Sequence, residues 1–295
     1  MNHKKQHLVP SSYIATWCDP DTPTKQTPYV WRFTKNGSRS EKKAPKNIFT
    51  QTDAYTIKEP DGTRNLILEK GLCELETRFA QLRDKKVAQR IPLNEEDRFL
   101  LCAFMATMMS RTASQREYHR EQWGQVLKNL NEMIEQKRKD DPEAKIVLDR
   151  LPENQKNGKT LTYEDVKEIV NNPLQNTMLP IAMVFLAVFL KMDMAVIETD
   201  DVPGLITSDN PCVWDDRKWQ ELPPFLQDKP VIRESVEISL PISPRQLVFL
   251  NWKDVTGYIQ IDERIVNEAN ARTRFNAHEY FVVSKNMKRP EWFME

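Results

Sequence analysis

A short apolar strand followed by a polar turn contains the first residues that could do chemistry. The segment Gly204–Pro211 reads GLITSDNP. Proline keeps the residue before it out of the helical region, so this sequence favours a fixed turn. A carboxylate held at the end of a strand is a common position for a functional group. Asp209 is therefore a candidate catalytic residue, and the alternative is a turn in which Asp209 and Asn210 cap backbone amides.

His7 is the best candidate for acid–base chemistry among the four histidines of the chain. His3 lies close to the N-terminus, and His119 and His278 stand in charged, polar surroundings. The ordinary pKa of histidine lies near neutrality, which suits His7 to general acid or base catalysis. The alternative is a structural turn in which the imidazole bonds a backbone carbonyl.

Two glutamates and an arginine form a second group of interest. Glu69 and Glu76 are seven residues apart on a predicted helix, so both side chains lie on nearly the same face. Arg111 follows the next predicted helix, where its guanidinium could bind a phosphate or form a structural pair with Glu76 or Asp209. A less favoured hypothesis places Glu69, Glu76 and Asp209 around Mg²⁺. The sequence lacks the motif spacing of known metallonucleases.

Composition excludes several other classes of function. The chain has no glycine-rich phosphate loop, and its four cysteines are scattered without a CxxC pair. Its net charge is zero, but residues 1–50 hold nine Lys/Arg against three Asp/Glu. No apolar signal region is visible, and the apolar stretch Met178–Leu190 is too short to span a bilayer. We therefore expect a cytoplasmic protein without membrane contact, in which this stretch forms a buried core helix.

The hydrophobic periodicity predicts a single α+β domain over residues 1–295. Residues 1–60 form a basic, irregular segment with a strand near Tyr29–Phe33 and an Asn36-Gly37 hairpin turn. Residues 65–192 form a helical centre, and residues 194–295 are rich in strands. We expect the N- and C-terminal strands to share a mixed or antiparallel sheet.

The polar motifs also occur in an order that resembles a known family. The motifs are HLVPSSYI (7–14), PKNI (45–48), Glu69 and Glu76, SRT (110–112), TSDNP (207–211), LPISP (240–244) and Asn267. In this order they resemble the bacterial family known as domain of unknown function 4238, across nearly the whole chain. Ile14 and Trp17-Cys18 depart mildly from the family pattern. The resemblance implies a bacterial cytoplasmic protein, associated in some members with defence against phage.

Two hypotheses of different classes follow. The first is a nuclease-like, phosphodiester-cleaving toxin that favours RNA, with His7, Glu76, Arg111 and Asp209 as catalytic residues. Tyr13, Lys46, Asn47 and Asn210 would then contact the substrate, and Mg²⁺ is a possible cofactor. The second is a non-enzymatic sensor or interaction module that binds a partner protein of a defence or toxin–antitoxin system. Under the first hypothesis, Asp209 belongs to the site only if folding brings His7 and Arg111 to it.

Overall fold

A computed structural model describes residues 4–140, 161–216 and 233–294 of the chain. Its helices are α1 (Ser11–Ile14), α2 (Ile67–Lys85), α3 (Glu95–Ser110), α4 (Ala113–Asp140), α5 (Tyr163–Asn171), α6 (Pro173–Phe189) and α7 (Glu263–Asn276). Its strands are β1 (Lys5–His7), β2 (Val30–Thr34), β3 (Ser40–Lys43), β4 (Thr50–Thr52), β5 (Ile57–Lys58), β6 (Arg64–Asn65), β7 (Asp193–Glu198), β8 (Thr207–Ser208), β9 (Val213–Asp216), β10 (Val236–Ser243), β11 (Gln246–Asn251), β12 (Gly257–Gln260) and β13 (Tyr280–Val283). The predicted loops at 140–160 and 215–234 lie almost entirely outside the described residues.

The strands form two larger sheets and two short two-stranded sheets. The four-stranded sheet has the order β3-β2-β13-β8 and is antiparallel throughout. It joins the N-terminal hairpin to a strand near the C-terminus, which confirms the predicted shared sheet. The five-stranded sheet has the order β12-β7-β11-β10-β9 and is mixed, because β12 runs parallel to β7. The short pairs are β1–β4 and β5–β6. The protein is thus a single α+β domain, as predicted.

Helix α3 lies at the centre of the main core. Its first turn is fixed by a capping box, in which Asn94 accepts from the Asp97 amide and Asp97 accepts from the Asn94 amide. After this first turn, α3 is apolar on nearly all sides and packs against α2 and α6. Phe104 of α3 stacks on Phe79 of α2 with ring centroids 3.6 Å apart. The helical centre is therefore held together by contacts among its own helices and with the sheets.

The prediction that the apolar stretch of α6 is a buried helix is wrong for half of its surface. Leu174, Met178 and Phe189 on the inner side are buried, while Met183 and Val184 on the outer side are exposed. The neighbouring helices α3, α4 and α5 leave that outer side uncovered in the described structure. Among the described helices no single one is long and apolar enough to cross a membrane; the bent pair α5–α6 meets the length and composition criteria only jointly.

Candidate functional site

Arg111 lies at the C-terminal end of α3 and is almost fully buried. Its guanidinium donates to Glu76 Oε1 at 2.7 Å, to the His7 carbonyl at 2.6 Å and to the Tyr55 hydroxyl at 3.2 Å. It also lies 5.3 Å from the centre of the Tyr55 ring. The donors are thus directed at protein acceptors on α2, β1 and the segment after β4. This arrangement ties three parts of the chain together and gives Arg111 a structural role in the resting protein.

His7 lies on β1 next to this buried pair. Burial lowers the pKa of the imidazole, although a hydrogen bond to the Lys46 backbone and the charge of Glu76 act in the opposite direction. Nε2 is buried and has no hydrogen-bond partner in the described structure. The imidazole is therefore neutral near pH 7, with one nitrogen held by a carbonyl and the other left as an unused acceptor. This is both the predicted turn-like contact and a state suited to a general base.

Asp209 is held by a different set of partners. Its carboxylate accepts from the backbone amides of His278 at 2.7 Å, Glu279 at 2.8 Å and Tyr280 at 2.9 Å. Burial raises the pKa of this carboxyl, while the three amides lower it and leave a net rise. Within the described residues, no hydrogen bond or ion pair joins Asp209 to His7 or Arg111. The fold therefore brings His7, Glu76 and Arg111 together and directs Asp209 to the segment before β13.

The predicted substrate-binding residues separate into two groups. Tyr13 is buried, and its hydroxyl contacts Thr207 Oγ1 at 2.7 Å and the Pro241 carbonyl at 2.5 Å. Asn210 donates to the Asn276 carbonyl at 3.0 Å, and the Asn276 amide returns a bond to the Asn210 carbonyl. These two side chains lock core segments together. Lys46 and Asn47, in contrast, are exposed.

The polar pocket that contains Asp209 is the best-formed candidate site, and we refer to it as the His278 pocket. It is open and has a volume of about 350 Å³. The residues that line it come from β2, the segment before β4, β4, α4, the turn after β8 and the segment 278–280. Its polar members are Arg32, Asn47, Thr50, Gln51, Arg116, Glu117, Asp209, His278, Glu279 and Tyr280.

A histidine–carboxylate pair lies in the His278 pocket. Nε2 of His278 is 3.2 Å from Glu117 Oε2, and both side chains are partly exposed. The backbone of the same histidine is held by Asp209. At this distance the Glu117 carboxylate can stabilise a protonated imidazole as an ion pair. Asp209, predicted as a catalytic residue together with His7, thus holds the backbone of His278 instead.

Two arginines border the pair. Arg116 precedes Glu117 on α4, bonds Gln51 on β4 and donates to Glu117 Oε1 at 3.1 Å, while its Nε is buried without a partner in the described structure. Arg32 lies 4.1 Å from the Tyr280 ring centre and forms an ion pair with Glu41. Both guanidiniums are therefore oriented by protein groups, and each is partly accessible from the pocket.

Sequence reasoning set His278 aside because it lies in charged, polar surroundings, and it did not single out Glu117. One signal was available: His278 lies between the end of α7 and the start of β13, the kind of element end that often carries functional groups. Its contact with Glu117 spans α4 and the C-terminal segment, and no spacing in the sequence reveals it.

The proposed Mg²⁺ site does not fit the side chains present. Among the described residues, no group of three or more His, Cys, Asp or Glu is arranged to hold a metal ion. Glu76 is paired with Arg111, and Asp209 faces three backbone amides. Glu69 and Glu76 both lie on α2. Within the described ranges, no bond joins Asp209 to that helix. We therefore assign no step to a metal.

The fold and the polar pocket define a single-domain α+β protein with a histidine-containing site built from segments far apart in sequence. Residues 5–288 match the family model described as "Protein of unknown function (DUF4238)". The match covers nearly the whole chain, so the chain belongs to this family, as its motifs predict. No curated protein and no solved structure matches the chain.

Proposed function

We propose that this protein is a nuclease-like enzyme that cleaves phosphodiester bonds, with RNA as the favoured substrate, and that it acts as a bacterial effector in defence against phage. The observation that carries the proposal is the His278–Glu117 pair in an open polar pocket beside Arg116. The context of phage defence comes from the family resemblance.

The proposed chemistry uses groups that the pocket holds. In RNA, the 2′-hydroxyl attacks the adjacent phosphorus as the P–O5′ bond breaks, which gives a 2′,3′-cyclic phosphate and a 5′-hydroxyl. The free nitrogen of His278 accepts the proton of the attacking hydroxyl, and Glu117 stabilises the imidazolium that forms. Arg116 stabilises the added negative charge on the phosphate, and the leaving oxygen takes a proton from water. His278, Glu117 and Arg116 all line this pocket.

The surface around the pocket suits a polyanion. Lys46 and Asn47 are exposed beside it, and Lys43 of β3 lies on the same face of its strand as Glu41, the partner of Arg32. The Lys42 ammonium lies 4.4 Å from the Tyr29 ring centre, which keeps an aromatic and a cation together on the hairpin. Basic surfaces bind nucleic-acid backbones with a strong dependence on salt, and the described residues present no module that reads the grooves of duplex DNA.

The second hypothesis, a non-enzymatic sensor or interaction module, has one observation in its favour. Arg32 and Arg116 are already paired with Glu41 and Glu117, so the pocket does not present free positive charge to a ligand. A pocket of this kind also fits a protein partner that exchanges one ion pair for another. The catalytic and interaction hypotheses differ in what the loss of His278 does.

The test compares purified wild type, His278→Asn and Glu117→Gln on single-stranded RNA and DNA oligonucleotides, with and without added divalent cation. We expect cleavage of RNA to leave a cyclic phosphate, and each substitution to reduce the rate about 100-fold or more. His119→Asn is the matched control, because His119 lies two residues after Glu117 on α4 and does not line the pocket.

The same variants are then expressed in a bacterial host, and RNA, DNA and nucleotide pools are profiled. If His278→Asn folds normally and keeps full toxicity or protection, the interaction hypothesis replaces the enzymatic one. A His119→Asn variant as inactive as His278→Asn would also contradict the assignment, because the effect would then not be specific to the pocket.

A further inference from the structure

Helix α6 has an uncovered apolar face on the outside of the protein. The helix contains no charged residue between Pro173 and Leu190. Leu179, Met183 and Val184 on its outer side are 48%, 70% and 66% exposed. Leu190, just after the end of the helix, and Phe99 on the neighbouring α3 are also exposed. We call these five residues the α6 patch.

A patch of this kind is unusual on a monomer. Soluble monomers rarely expose contiguous apolar patches larger than about 300–600 Å², and such patches mark interaction surfaces. The inner side of α6 already meets the packing needs of the fold, because Leu174, Met178 and Phe189 are buried. The outer residues therefore contribute nothing evident to the core. The unfavourable free energy of exposing them to water is removed only when another surface covers them.

The charges at the two ends of the patch indicate which surface fits. Glu168 is exposed beside the N-terminal end of α6, where its carbonyl accepts from Asn176 at 3.4 Å. Lys191 is exposed just beyond the C-terminal end. The centre is uncharged, one end is acidic and the other is basic. A copy of the same helix turned antiparallel places acid opposite base at both ends and Met183 near Met183 at the centre.

We propose that the α6 patch is the interface of a twofold-symmetric dimer in which the α6 helices of two chains pack antiparallel. A twofold axis uses the same patch on both copies, so a surface that complements itself is what such a dimer requires. Because a stable dimer buries about 800 Å² per partner, the rim around Glu168 and Lys191 takes part as well as the patch. This interface lies apart from the His278 pocket and does not depend on the proposed function.

The first test is sedimentation velocity of the full chain at concentrations from about 1 to about 100 µM. We expect wild type to dimerise within this range and Met183→Glu to remain monomeric, because two carboxylates would meet at the centre of the interface. Met294→Glu is the matched control, since Met294 is 66% exposed on a different surface. Far-UV circular dichroism checks that each variant is folded.

The second test examines orientation. Glu168→Lys and Lys191→Glu should each weaken the dimer about threefold to tenfold, and the double substitution should restore it, because the opposed charges are exchanged together. A monomeric wild type, a dimer that survives Met183→Glu, or a monomer that binds phosphatidylcholine vesicles through this patch would overturn the proposal. A double variant weaker than both single variants would overturn the antiparallel arrangement.

Discussion

Glu76→Gln tests the reasoning about the buried arginine most directly. The side chain of Arg111 is only 2% exposed, and Glu76 supplies the only negative charge bonded to it in the described structure. Glutamine keeps the size of the side chain and one acceptor oxygen. The change in the free energy of unfolding therefore reports the loss of the negative charge. Removing one partner of a buried ion pair leaves an uncompensated charge and costs about 3–5 kcal/mol. Glu76 is 17% exposed, and water reaching that side favours the lower end, about 3 kcal/mol.

The assay is urea unfolding followed by circular dichroism, with the midpoint and the m-value determined for each variant. Glu74→Gln is the control, because Glu74 lies on the same helix and is exposed. A double-mutant cycle with Arg111→Gln should give a coupling energy of at least about 1 kcal/mol. Two results would show that our account of the Arg111–Glu76 pair is wrong. The free energy of unfolding of Glu76→Gln could lie within about 0.5 kcal/mol of that of Glu74→Gln, or the effects of Glu76→Gln and Arg111→Gln could be additive.

Two further predictions concern Asp209 and His7. Asp209→Asn turns one oxygen into a donor that opposes the backbone amides, so we expect a loss of about 2 kcal/mol and faster hydrogen exchange of the His278 and Tyr280 amides; unchanged exchange would show that the carboxylate does not hold this segment. For His7, whose folded-state pKa lies below the ordinary 6.5, the unfolded chain takes up a proton first as the pH falls. Wild type should therefore lose stability relative to His7→Asn between about pH 7 and about pH 5, and urea midpoints that move in parallel for both proteins would contradict this.

Hydrophobic periodicity and capping residues were sufficient to predict most helices of this fold. Asn94 and the acidic residues after it predict the start of α3, and the structure places its capping box there. The hairpin turn at Asn36-Gly37 likewise joins β2 to β3, with Gly37 at a positive φ of 69°. These features depend on residues close in sequence, and local chemistry decides them.

The exposure of α6 and the partners of Asp209 could not be predicted in the same way. An apolar helix with no polar side reads as buried, because periodicity reports the character of the helix and not what surrounds it. The Asp209 carboxylate accepts from backbone amides about 70 positions later in the chain. The sequence does not indicate which donors such a carboxylate will contact in the folded protein. Of the two partners predicted for Arg111, Glu76 and Asp209, the structure pairs it with Glu76.

The pairing of β2 with β13 determines when the His278 pocket can form during synthesis. Strand β13 (Tyr280–Val283) follows β2 (Val30–Thr34) by more than 240 residues of sequence, and the segment just before β13 supplies His278. During synthesis the N-terminal hairpin is complete long before its partner strand leaves the ribosome. Long-range pairings of this kind form late, after their intervening chain is present. A nascent chain therefore carries the basic hairpin without the His278 pocket until the segment that supplies His278 and β13 has been synthesised.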